Sequence, residues 1–225
     1  MDVNILGSGV NSNVEAQVDP SRSALRVSLA PMEHTISGLQ GGHYNLCAAT
    51  GAMSALAASG QIFAVRWSDP SKLFILLQLA VSAVCTAFSS GTGADLEGIK
   101  ASSYSSNASG GTQITPSTVS QMSRIQTMAP SSFNSTGEIR IATTTALTPG
   151  TQTLDTAGFG STQIPATGAG GGISDVNIYQ CLAFGQHPII LANNQGFVVR
   201  EITTVPASNS FRYSIQMSWV EIAAF

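Results

Sequence analysis

Residues 211–219 constrain the fold of this chain more than any other stretch. Phe211, Tyr213, Ile215, Met217 and Trp219 alternate with Arg212, Ser214, Gln216 and Ser218. A period of two sorts side chains onto opposite faces of an extended strand, whereas a helix would scatter them around its circumference. The segment therefore reads as a half-buried antiparallel strand, roughly 30 Å long at the usual rise per residue. Such a strand needs a second layer over its apolar face.

Other stretches carry the same signature. Gln61–Trp67 alternates Ile62, Ala64 and Arg66 with Phe63, Val65 and Trp67. Glu138–Thr143 sets Ile139 and Ile141 against Glu138 and Arg140. Asp69-Pro70-Ser71 is a turn signal before a long strand from Lys72. In that strand Leu73, Ile75, Leu77, Leu79, Val81, Ala83, Cys85 and Ala87 share the odd parity, and Gln78, Ser82 and Thr86 the even one. The spacing also suits one face of a helix, and the uncharged run 73–94 has spanning length. The Ser89-Ser90-Gly91-Thr92-Gly93 flank and the polar residues within argue against a membrane helix.

Residues 24–30 and 43–50 are further strand candidates, and the Ala-rich 51–60 suits a turn or two of helix. Residues 89–136 are rich in Ser, Thr, Gly and Asn, which predicts short strands joined by long loops. Residues 144–172 read as a second loop region with a glycine run at 168–172. Pro188–Ala192, a turn at Asn193–Gly196 and the strand from Phe197 lead into the last strand. Residues 1–22 are polar and end at Asp19-Pro20, which suggests an extended N-terminal arm. The expected organisation is that arm followed by one domain over 23–225. The expected fold class is all-β, an antiparallel β-sandwich of jelly-roll type with long Gly/Ser/Thr-rich loops.

Composition narrows the function. Charged residues make up 9% of the 225 residues, against roughly 25% in ordinary soluble domains. With 43% hydrophobic residues the chain can bury a core, but it has little charge to keep a lone surface soluble. Self-association or partner binding is the expected remedy. The net charge is -3 and the basic residues are scattered, so no stripe offers itself to a phosphate backbone and direct nucleic-acid binding is not expected. Cys47, Cys85 and Cys181 are far apart and form no Cys-x-x-Cys pair, which predicts three buried, reduced thiols. Met1–Val10 lacks the basic and apolar regions of a signal peptide.

Catalytic constellations are not evident, and no catalytic, cofactor-binding or metal-ligating residue is assigned. His34, next to Glu33, lacks further ligands at metal-like spacing, as do His43 and His187. The 168–172 glycine run lacks the Lys-Ser or Lys-Thr of a phosphate loop. Asp95 and Glu97 would point the same way on a strand, and a carboxylate pair can serve glycoside hydrolysis, although surface pairs of this kind are common. The sequons at Asn107 and Asn134 matter only in a secreted eukaryotic protein. Among the aromatic residues, Trp219 and Tyr213 fall on the apolar parity. Tyr104, within a Ser-rich stretch, is the best candidate for an exposed sugar-binding ring.

Short motifs in a common order resemble a family of tailed-bacteriophage virion structural proteins. They are Gly41-Gly42-His43-Tyr44, Ala48-Ala49-Thr50-Gly51, Ile62–Trp67, Ser109-Gly110-Gly111-Thr112, Arg140–Thr144, Ala146-Leu147-Thr148, Gly150-Thr151, Thr153-Leu154-Asp155, Pro188–Leu191, Gln195–Arg200 and Met217–Glu221. The resemblance spans residues 20–221 and departs most at 113–130. It implies a virion component and transfers no catalytic residues. The expected function is a non-enzymatic capsid decoration, or cement, protein that bridges capsid subunits. It would be made in the host bacterial cytoplasm and placed on the outer capsid surface. The expected partners are the major capsid protein and further copies of itself, as a homotrimer, with no membrane. The alternatives are a tail-fibre or receptor-binding module for host glycan and, more remotely, a glycoside-active enzyme built on Asp95 and Glu97.

Overall fold

The computed structural model describes residues 18–19, 24–25, 42–89, 93–115, 123–124, 131–134, 137–165, 171–181 and 188–223. The chain divides into two compact units. In Met1–Glu33, β1 (Val18–Asp19) pairs antiparallel with β2 (Ala24–Leu25). The rest of the expected arm over 1–22 lies outside the described residues.

The second unit, His34–Phe225, contains two antiparallel sheets. The first comprises β3 (Gly42–Ala49), β4 (Met53–Ser54), β6 (Lys72–Ala87), β9 (Ser123–Arg124), β13 (Gly172–Gln180), β14 (Ile189–Leu191) and β16 (Ser210–Ala223). Its order is β13-β6-β16-β3-β9, with β14 also on β6 and β4 on β16. The second comprises β5 (Gln61–Trp67), β7 (Ala94–Tyr104), β8 (Thr112–Ile114), β10 (Glu138–Ile141), β11 (Gln152–Leu154), β12 (Gly160–Ile164) and β15 (Gln195–Glu201). Its order is β11-β7-β15-β5-β10-β8, with β12 beside β11 on the same edge of β7. The fold is an all-β antiparallel sandwich, as the alternation of residues 211–219 requires.

The eight principal strands pair in a nested way. β3 lies against β16, β5 against β15, β6 against β13 and β7 against β12. The chain thus runs out and back as one long hairpin whose arms alternate between the sheets. The turn at Asp69–Ser71 makes one crossing, held by the Ser71 N–H and hydroxyl donating to Asp69 Oδ1 at 2.8 and 2.7 Å. The turn after Leu191 makes another, with Asn194 at a φ of 59°. Ile189–Leu191 and Gln195–Glu201 therefore belong to different sheets and do not pair with each other.

Burial follows the alternation on β16: Phe211, Tyr213, Ile215, Met217 and Trp219 all face the core. The long strand β6 departs from its expected odd-inward parity. Leu79, Val81, Ala83 and Cys85 point inward as expected, but before them Phe74 and Leu76 do. The pairing with β16 steps from Ser218↔Gln78 to Trp219↔Leu76, so Leu77 is the extra residue of a β-bulge. A one-residue insertion flips every side chain beyond it to the other face. Two further expectations fail. Residues 51–60 form β4 and a turn, with Ala55 and Ser59 at positive φ, not helix. β7 is an eleven-residue strand within the stretch read as loops and short strands.

Aromatic rings fill one end of the sandwich. Trp219 stacks on Tyr44 and Phe74 at 5.4 and 6.0 Å between centroids. Phe133, from the short 3-10 turn at Ser132–Asn134, meets Trp67, Phe74 and Trp219 edge-on. Edge-to-face and offset contacts at such distances add to plain burial.

The two sheets differ on their outer faces. On the second sheet Ile62, Ala64, Ile99, Ala101 and Val198 point away from the sandwich core, yet all are buried. Tyr104, Ala108 and Leu147, from the adjoining chain, belong to the same buried cluster. The Gly/Ser/Thr-rich connections thus fold back as a covering layer. They are tied by Ser109–Thr148 and Leu147–Gln61 backbone bonds and by Arg66, which donates to Tyr104 O, Asn107 Oδ1 and Asn194 Oδ1.

Gly196 is what lets this layer lie flat. A Cβ there would come within 2.6 Å of Tyr104 Cδ1 and would run into the Val65 carbonyl oxygen. The second neighbour is backbone and cannot swing away. Gly196→Ala should therefore destabilise the protein by at least the roughly 1–3 kcal/mol of an overpacked core. Urea denaturation checks this, and an unchanged midpoint would show that the layer is loose.

Candidate functional site

Asp95 and Glu97 lie on β7 with the same parity, as the spacing predicts. They do not form an open carboxylate pair. Arg200, the cross-strand partner of Glu97, donates from Nε to Glu97 Oε1 at 2.7 Å. Asp95 Oδ2 receives the Thr203 hydroxyl at 3.5 Å. The arrangement is that of a salt-bridged sheet surface.

Tyr104 is not the exposed ring expected of it. It is fully buried over Gly196, because the bulge at Ser102 in the β7–β11 pairing returns it to the covered face. Its hydroxyl has no hydrogen-bond partner among the described residues. Burial, with Glu138 nearby, pushes its pKa up to about 12, and Arg66 and Arg140 pull the other way. Glu138 is itself buried and takes the Arg140 Nε–H at 2.6 Å.

The expectation of three buried cysteines is also corrected. Cys85 is buried and Cys181 half-buried, but Cys47 is exposed, because Tyr44 and Leu46 take the inward parity of β3. His34, His187 and most of the 168–172 glycine run lie outside the described residues. Among the described residues no three His, Cys, Asp or Glu side chains converge in a metal-like group, and no helix is long and apolar enough to cross a membrane.

The most unusual chemistry lies inside the sandwich. Glu201 and Glu221 have no solvent exposure, and no cation is within salt-bridge distance of either among the described residues. Glu201 ends β15 on the parity of Phe197 and Val199. Its Oε1 accepts the Tyr213 hydroxyl at 2.5 Å across the sheets, and its Oε2 accepts the Asp95 N–H at 3.2 Å. Burial raises its pKa to about 7, against the lowering effect of these two donors. Tyr213 is raised as well, first by burial and then by Glu201.

Glu221 lies two residues beyond Trp219 and continues the inward parity of β16. Its Oε1 accepts the Ser131 hydroxyl at 2.5 Å and the Trp219 Nε1–H at 3.1 Å, and its Oε2 accepts the Ser132 N–H at 2.9 Å. Burial raises its pKa, and the three donors oppose the rise. Through Ser131 and Ser132 this carboxyl group holds the turn that carries Phe133. Both acids act as internal fasteners, one between the sheets and one between sheet and loop. Their inward parity is visible in the sequence; their partners are not.

No protein-family model matches the sequence, and no curated protein matches it. Among solved structures the chain is similar to a chain in the structure of infectious bursal disease virus Gx strain, at 14% identity and a TM-score of 0.16. That match covers all of this chain and 47% of the other, so the chain spans less than half the length of the protein it matches. At so low a score the likeness says nothing about function.

Proposed function

We propose that the protein is a non-enzymatic virion structural component of a tailed bacteriophage, a capsid decoration protein that bridges capsid subunits on the outer head surface. The supporting observation is the nested pairing of β3 with β16, β5 with β15, β6 with β13 and β7 with β12. We read this nesting as the winding of a jelly roll, a recurrent architecture of capsid proteins. A fold does not by itself define a function. The ordered motif resemblance and the 9% charge favour the capsid reading over the other uses of the fold. The partners in this reading are the major capsid protein and further copies of this chain, with a trimer suggested by the three-fold axes of capsids.

A decoration protein that binds the assembled shell stabilises it by mass action, and small free energies at many sites add up. A phage lacking the gene should therefore release its genome at a lower temperature than wild type while adsorbing normally. Heads as heat-stable as wild type, with failed adsorption, would replace this reading by the receptor-binding one.

A further inference from the structure

We propose that the outer face of the first sheet is the surface through which copies of this chain associate. The proposal rests on the homo-oligomer reading above and adds the surface. The chain leaves this face open at Asn45, Cys47, Ala49, Val84, Thr86 and Gln216, whereas Ile75 and Val220 at its other end are buried. Across it run Asn45, Cys47 and Ala49 of β3, Ser214, Gln216 and Ser218 of β16, and Gln78, Ser82 and Val84 of β6, in register along the paired strands, with Thr86 the extra residue of a bulge opposite Ser210 and Phe211.

Three properties suit this face to association. Among the described side chains of β3, β6 and β16, Arg212 is the one formal charge on it. Its polar groups already bond to one another: Gln78 Nε2 to Asn177 Oδ1 at 2.8 Å, Thr86 Oγ1 to Ser210 Oγ at 2.9 Å, and Cys47 Sγ with Ser214 Oγ at 3.6 Å. Covering groups that are already paired strands few donors or acceptors, so desolvation costs little. Two of the three large hydrophobic residues exposed among the described residues, Val84 and Ile190, also lie here, Ile190 through its pairing with Ile75.

Charge matching selects the occupant. A partner with an ordinary charged surface would have to desolvate its ions against a face with almost no countercharge, which is unfavourable. The partner must be as poor in charge as this chain, and a second copy meets that condition.

Light scattering across a concentration series tests the proposal. The wild type should be an oligomer, and Gln216→Lys and Ala49→Lys should each shift it to the 23.2 kDa monomer. Thr153→Lys, which adds the same charge on β11 of the other sheet, should leave the oligomer intact. Thermal midpoints confirm that the variants fold. In a Cys181→Ala background, the reaction of Cys47 with a thiol reagent should quicken at least tenfold as dilution separates the copies. A wild type that stays monomeric at high concentration overturns the homo-oligomer reading and the surface with it. An oligomer indifferent to Gln216→Lys and Ala49→Lys, or equally broken by Thr153→Lys, overturns the surface alone.

Discussion

Trp219→Ala is expected to lower the free energy of unfolding by about 3–5 kcal/mol, the range for removing a fully buried Trp. For a domain of this size that corresponds to a thermal midpoint roughly 6–20 °C lower. The ring has no solvent exposure and bridges the aromatic end of the sandwich, between Tyr44 and Phe74 on its own sheet and Phe133 from the loop. Its Nε1–H is also one of three donors that hold the Glu221 carboxyl group. Truncation therefore opens a cavity and leaves a buried acid with one donor fewer. Trp219→Phe separates the two effects: it keeps most of the packing and loses only the N–H, so its cost should be distinctly smaller. Chemical denaturation of both variants measures the difference. If Trp219→Ala leaves the midpoint unchanged, the ring does not pack as described.

The second large effect is on the pH dependence of stability. The carboxyl pKa of Glu201 is about 7 in the folded protein against an ordinary value of 4.5, because burial disfavours its charged form. A group whose pKa is raised by folding binds its proton more tightly in the native state. Its stabilising contribution is thus fully present below about pH 4.5 and is lost as the pH rises through about 7. At about 1.4 kcal/mol per pKa unit, this loss is on the order of 3 kcal/mol. Glu221 shifts in the same direction, also by burial, and adds to the trend. Stability should therefore decline from mildly acidic to mildly alkaline conditions. Glu201→Gln keeps a hydrogen-bonding group beside Tyr213 without an ionisable one, and should flatten the part of the curve that falls near neutrality. Urea midpoints measured from pH 5 to 8.5 decide this. A wild-type curve that rises over that range would mean that Glu201 is ionised and well solvated.

Much of the architecture was legible in the sequence because a half-buried strand must alternate. Residues 211–219 dictated an apolar face and a polar face, and burial follows that alternation residue by residue as far as Trp219, beyond which Val220 is buried as well. The same rule places Glu221 and Glu201 inside, since each continues an apolar parity, and it aligns Asp95 with Glu97. The low charge and the small polar residues likewise follow from composition alone.

Tertiary structure decided everything that depends on a register step or on partners distant in the chain. Two bulges, at Leu77 and at Ser102, exchange the faces of β6 and β7, and no local pattern announces an inserted residue. Tyr104 looked exposed in its Ser-rich surroundings, yet it is buried because the connecting loops fold back over a glycine in a different strand. The fasteners join Glu201 to Tyr213 across two sheets and Glu221 to Ser131 some ninety residues away. Alternation is a local steric property that each strand carries in its own sequence. Partner choice is set by which strands the nested winding brings together, and that is determined only when the whole core closes.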